Sequence, residues 1–360
     1  MINMIYQVVR WLVGGLFIFS GLIKVNDPVG MAIKLEEYFE VFGTHFMVPF
    51  ALYLSVFVVV LEVALGVALI LGYRLKLTLW ALLGLIVFFT GLTFYSAWFN
   101  KVTDCGCFGD AIKLTPWQSF SKDVVLLVLI LILMAGQKSL KPLAKDKVVA
   151  YGTIAATLFS LVLALYCINY LPIIDFRAYK TGNNIGALMQ PSEPYKYRYL
   201  MKRGSEDKYF DQYPTDTTWQ YVNMELMNPE AKPKITDYNL WNEEGEGTQA
   251  SFEGVKLLII LQNIEKAPEK AVKGFADLAR SLEGTKGLEA WVVTSAGLES
   301  FKSYRHELQL AFPYYFADAT VLKTMIRSNP GLILLQNGTV KGQWHYNSTP
   351  DKEEILKLIQ

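Results

Sequence analysis

Two cysteines one residue apart, in Asp104-Cys105-Gly106-Cys107-Phe108-Gly109-Asp110, are placed for redox chemistry. A disulfide prefers Cα atoms about 4.4–6.8 Å apart, and residues i and i+2 meet that only if the chain bends between them. Gly106 lacks a Cβ and permits the bend. So small a ring is strained, and strained disulfides are the more oxidising and labile ones. Asp104 and Asp110 disfavour the reactive thiolate, and Lys101 and Lys113 offset them. Redox exchange through a Cys105–Cys107 disulfide is the leading expectation, and a purely structural disulfide the second. A metal site made of both cysteines and both aspartates comes last, because structural zinc sites favour Cys and His at wider spacing.

Other residues could serve the same chemistry. Glu62 interrupts the apolar run Val58-Val59-Val60-Leu61-Glu62-Val63-Ala64-Leu65-Gly66. An ionisable group inside such a segment is costly and marks a functional hypothesis. It either stays protonated and bonds a neighbouring helix or relays protons to a quinone headgroup. Cys167, the third cysteine, is a resolving thiol or, more in keeping with an apolar helix, a small buried hydrophobe. His45 is expected to be solvated, with proton acceptance near the cysteine pair as the alternative. Lys24 is expected to snorkel and Asp27 to cap the following helix. Gly14, Gly15, Gly21 and Gly66 permit close helix approach.

The elements that must position these residues are mostly apolar. The chain has 360 residues, 52% hydrophobic and 19% charged, with a net charge of +1, so no basic field for nucleic acid exists. Five stretches approach the 20 or so apolar residues that a membrane span requires, at 4–25, 47–72, 77–99, 120–137 and 148–172. Arg74 and Lys76 follow the second span; Lys138, Lys141, Lys145 and Lys147 follow the fourth. These basic loops predict a cytoplasmic N-terminus, with the cysteine loop and everything beyond the fifth span external. Disulfides persist on that side. Residues 26–46, with Pro28 at a helix start and Met31, Leu35, Tyr38, Phe39 and Phe42 at helical spacing, predict an interfacial helix against membrane lipid.

Four segments follow: a bundle of four spans over 1–137, a fifth span over 138–175, a linker or insert over 176–235 and an α/β domain over 236–360. The insert predicts a hairpin around residues 207–222. In the last segment, apolar runs at 256–261 and 288–295 read as buried strands, with helices following each. Residues 314–318 read as a short edge strand, and Asn337-Gly338 turns a hairpin before a closing helix. The whole is multi-domain: an α-helical membrane bundle plus an α/β soluble domain.

The order and spacing of 235–360, with Pro330 after Ile326-Arg327-Ser328-Asn329, resemble the thioredoxin fold, where that proline is usually cis. The resemblance implies a Cys-x-x-Cys after the first core strand. Residues 262–270, QNIEKAPEK, hold no cysteine there. It also makes Asn329 and Pro330 candidates for partner binding. In the other half, GGLFIFSGLIKVNDP, LEVALGVALILG and the CGCFG loop resemble the DoxX and MauE group of bacterial membrane proteins. That resemblance implies a bacterial inner membrane with a periplasmic C-terminal domain, and links in some members to quinones, thiols and disulfide formation. Two functions stand side by side. One is a redox accessory in which Cys105, Cys107 and Glu62 act with a membrane quinone and an envelope thiol protein. The other is a non-enzymatic anchor whose thioredoxin-like domain binds an envelope assembly complex.

Overall fold

The computed structural model describes residues 2–102, 106, 108–285 and 287–360. Cys105 and Cys107 lie outside the described residues, and so does any disulfide between them. The chain divides into two compact units, one running to Arg177 and the other beginning at Ala178.

The first unit is helical. Its elements are α1 (Ile2–Asn26), α2 (Pro28–Val41), a 3-10 turn (His45–Phe50), α3 (Ala51–Leu71), α4 (Leu75–Phe99), α5 (Pro116–Ala135) and α6 (Asp146–Tyr170). Five helical segments are long and apolar enough to cross a membrane: Met4–Asn26, His45–Leu71, Leu75–Phe99, Pro116–Ala135 and Asp146–Tyr170. The fourth begins four residues earlier than its hydropathy predicts. Thr115 and Gln118 form a reciprocal capping box there, and Pro116 sits where a helix tolerates it. The second opens as a 3-10 turn around Pro49 instead of an α-helix.

The principal packing is α1 on α3, α4 on α5 and α3 on α6. Close approach of α1 and α3 depends on missing side chains. A Cβ on Gly66 would meet the Gly14 carbonyl oxygen at 2.8 Å, and one on Gly21 would meet Val63 Cγ2 at 2.7 Å. Gly15 faces no such neighbour. Asp27 caps α2 by accepting from the Gly30 N–H at 2.8 Å, and α2 buries Met31, Leu35 and Tyr38. Cys167 is a free, buried thiol in α6, and His45 is exposed.

The second unit is a mixed sheet domain. It runs α7 (Ile185–Leu188), β1 (Tyr197–Arg203), β2 (Glu206–Phe210), β3 (Gln220–Leu226), β4 (Trp241–Asn242), β5 (Gly245–Glu246), β6 (Val255–Leu261) and α8 (Glu269–Ser281). It continues through β7 (Leu288–Thr294), α9 (Leu298–Glu307), β8 (Tyr314–Phe316), α10 (Ala319–Met325), β9 (Gly331–Gln336), β10 (Thr339–His345) and α11 (Lys352–Ile359). The large sheet has the order β10-β9-β6-β7-β8-β4-β5. Strands β6, β7 and β8 are parallel, and β9, β10 and β4 run antiparallel to their neighbours. Strand β6 is buried throughout. Val272, Phe275, Ala276 and Ala279 recur at helical spacing on α8 and join the core beside Leu257, Ile259 and Leu261.

Two strand expectations are corrected. Residues 314–316 are not an edge, because Trp241 of β4 pairs with Phe316 and covers that side. The hairpin is not at 207–222: β2 and β3 lie on opposite sides of β1. The tight turn is at Gly204, whose φ of +61° suits glycine, and it joins β1 to β2.

Candidate functional site

The first unit holds a pocket whose empty space, open solvent included, is about 700 Å³. Its walls are chiefly apolar, with Leu16, Phe17, Leu35, Ile86, Phe89 and Leu126 among them. Ligand sites have this character: a concave apolar lining with a few placed polar groups.

The buried carboxylates of this pocket, Glu62 and Asp123, each sit in an ion pair. Lys24 Nζ on α1 lies 2.5 Å from Glu62 Oε1 on α3. Ser20 donates to the other Glu62 oxygen at 3.3 Å, and the Lys24 ammonium sits 5.0 Å from the centre of the Phe89 ring. Both side chains are sealed, at 5% and 2% exposure. Burying two charges costs several kcal/mol per ion unless each finds a partner, and here each does. The pairing follows from the α1–α3 contact, where Gly21 lets the two backbones close up one turn before Lys24.

The second pair is Lys122 and Asp123 on α5, 2.6 Å apart. Asp123 also accepts from the Thr93 hydroxyl of α4 at 3.0 Å. Its carboxylate is 1% exposed while Lys122 is 24% exposed. Lys122 stands 5.4 Å from the centre of the Phe108 ring, which in turn meets Phe19 at 5.8 Å.

The remaining wall comes from α2 and from the cysteine loop. Lys34 and Tyr38 line the cavity from α2, and Gly106 and Phe108 line it from the loop. Gly106 has φ +65°, and a Cβ on it would stand 3.1 Å from Lys34 Cγ. Tyr38 is fixed by a 2.8 Å hydrogen bond with Ser96 of α4. The residue between the two cysteines in sequence thus shares a cavity with the intramembrane acid.

Glu62 lines this site. Lys24 is corrected: it does not snorkel, because the carboxylate of Glu62 offers it a nearer partner than water. Asp123, Thr93 and Lys122 were not anticipated. The sequence signal for Asp123 was that of Glu62, an acid inside an apolar helix, muted by its place near the helix start. Among the described residues no group of three His, Cys, Asp or Glu side chains could hold a metal ion.

In the second unit, the Asn329–Pro330 peptide bond is cis. The Asn329 side chain donates to the Asn263 carbonyl at 2.8 Å and accepts from the Asn263 N–H at 3.3 Å. Gln262 donates to the carbonyls of Ile326 at 2.6 Å and Ser328 at 3.0 Å. The turn after β6 is therefore tied to the segment before β9 by amide side chains.

Residues 2–136 match the family model for the methylamine utilisation protein MauE, and that stretch contains every residue lining the cavity. Protein TlpB of Flavobacterium psychrophilum is 29% identical over 130 residues, 35% of this chain and 35% of that protein. The match spans about a third of the length of this curated relative. With five helices long and apolar enough to cross a membrane, the chain is a membrane protein whose residues 2–136 are similar to MauE.

Proposed function

We propose that this chain is a thiol–disulfide redox accessory of a bacterial inner membrane, with the cysteine loop and the second unit on the periplasmic face. The observation that carries the reading is that Gly106, flanked in sequence by Cys105 and Cys107, lines the cavity of Lys24, Glu62 and Asp123. A membrane quinone fits the chemistry of that cavity: apolar walls for the ring and tail, and ammonium donors for its oxygens. When bound it supplies a two-electron, two-proton acceptor. The two thiols lose two electrons and two protons and form one S–S bond, and the acceptor's two carbonyl oxygens become hydroxyls. Lys24 would hold one oxygen by hydrogen bonding, with Glu62 and Ser20 fixing the ammonium. An envelope thiol protein would then re-reduce the cysteine pair by exchange.

The second unit is, in this reading, a thioredoxin-like domain. Support comes from the parallel β6–α8–β7 unit and the cis bond at Asn329–Pro330. It recruits the thiol partner along the Asn329–Pro330 loop and performs no exchange itself, having no cysteine in 262–270. A second reading, a non-enzymatic anchor for an envelope assembly, is favoured by the amide ties of Gln262 and Asn263. Under it Cys105–Cys107 is a loop staple.

Alkylation trapping of the cysteines in living cells, with respiration running and then blocked, separates the two. The redox accessory accumulates reduced Cys105 and Cys107 when quinone reoxidation stops. A pair locked in one state under both conditions overturns it.

A further inference from the structure

The two ion pairs of the cavity differ in one respect that the chemistry needs. Lys24 and Glu62 are both shut away from water, whereas buried Asp123 is bound to a lysine that reaches the surface. We infer that Lys122, Asp123 and Thr93 form the port through which the cavity exchanges protons with water, while Lys24–Glu62 is a closed clamp. This rests on the redox reading above for its purpose, and on geometry alone for its existence.

Three observations point the same way. Asp123 receives one hydrogen bond from each side, from Lys122 at 2.6 Å and from Thr93 at 3.0 Å. Its carboxylate therefore stands between a partly solvated ammonium and the cavity wall formed by α4. Among the described residues, the other charged or titratable groups on this cavity are Lys24 and Glu62 across it and Lys34 and Tyr38 on α2. Lys34 is engaged by Glu37 at 3.0 Å and Tyr38 by Ser96, so each has a structural partner. Among the described lining residues, Asp123 is the carboxylate whose ion-pair partner is partly exposed, Lys122 at 24% against 5% for Lys24.

The step is proton transfer only. A hydronium ion gives its proton to the Asp123 carboxylate, with Lys122 fixing its outer oxygen, and the carboxyl then gives the proton to an oxygen in the cavity. Two such transfers match the two electrons delivered by the thiols, whose own protons leave to water. Asp123 acts as general acid, a role worth about 10²–10⁴-fold in rate. Thr93 is a positioning residue.

The test uses the full chain in lipid nanodiscs without added quinone. Infrared spectra after a rapid drop in pH follow proton uptake by the two carboxylates, assigned by the loss of their bands in Asp123→Asn and Glu62→Gln. The Asp123 band should exchange its carboxylate form for the protonated form about tenfold faster or more than the Glu62 band, as a solvent-linked site does against a sealed one. Thr93→Val, which keeps the charge, should slow that exchange without unfolding the protein. Turnover with dithiothreitol and a short-chain quinone should fall about 10²-fold in Asp123→Asn. A small permeant acid such as azide should restore part of it, which a packing defect would not allow. Equal exchange at the two carboxyls, or an unchanged Asp123→Asn rate, overturns the port. Faster exchange at Asp123 in a wild-type protein that reduces no quinone upholds the port and sinks the redox reading instead.

Discussion

Helix α1 buries a cation near each end, and the two are treated differently. Arg10 is buried and gives hydrogen bonds to the carbonyls of Leu69 and Lys141, each at 2.8 Å. Its Nη2 lies where a Cβ of Gly72 would intrude at 2.6 Å, so glycine at the end of α3 serves both the helix cap and the guanidinium. Lys24 is met instead by a carboxylate on the wall of a cavity. The fork of Arg10 ties backbone to backbone and leaves no charge to change hands. The pair of Lys24 and Glu62 instead presents an ammonium and a carboxylate on the cavity wall. A buried charge is thus not evidence of function by itself; what faces it decides.

Three experiments sharpen or break this contrast. Glu62→Ala leaves the Lys24 ammonium buried without its partner and should cost about 3–5 kcal/mol, measured by thermal unfolding in detergent. Glu62→Gln should cost less and, under the proposed redox function, still stop turnover. Arg10→Ala should cost about 2–3 kcal/mol through its lost charged hydrogen bonds while leaving quinone-linked turnover unchanged in the protein that folds. An Arg10→Ala protein that folds normally and has lost turnover would erase the distinction.

The smallest effect concerns another buried basic group, His345 in the second unit. Burial lowers its pKa to about 4, and Nδ1 accepts from the Asn347 N–H at 3.1 Å. This group stays neutral instead of finding a counter-ion. The unfolded chain takes up a proton near pH 6.5 and the folded one does not, so stability is full above that value and falls as pH drops toward 4. Between pH 7.5 and 5 the loss should be about 2 kcal/mol. Urea midpoints should show it, and His345→Gln should flatten the profile.

Much of the fold was legible in the amino-acid sequence. Apolar length marked the five long helices, and Asn337-Gly338 with its flanking runs marked the last hairpin. The pairing of β1 with β3 was not legible, because residues 204–219 offer turn signals at both Gly204 and Pro214, and register depends on contacts far apart in sequence. In the site, Glu62 stood out against its apolar neighbours. Lys24 did not, because a lysine near a span's end ordinarily reaches for water, and only the α1–α3 approach at Gly21 reveals a nearer carboxylate. Asp123 was hidden by its position in the second turn of α5, where charged residues are common.

Asn26 closes α1 two residues after Lys24. Its side chain donates to the Ile174 carbonyl at 2.7 Å and accepts from the Ile174 N–H at 3.0 Å, just past the end of α6. The chain leaving the bundle is therefore fastened to α1 before it enters the second unit. Mechanically, this clasp is a load path. A pull on the second unit by a bound partner reaches α1 at Asn26 before it loads α6. Tension on the tether would be felt first one half-turn from the Lys24 ammonium.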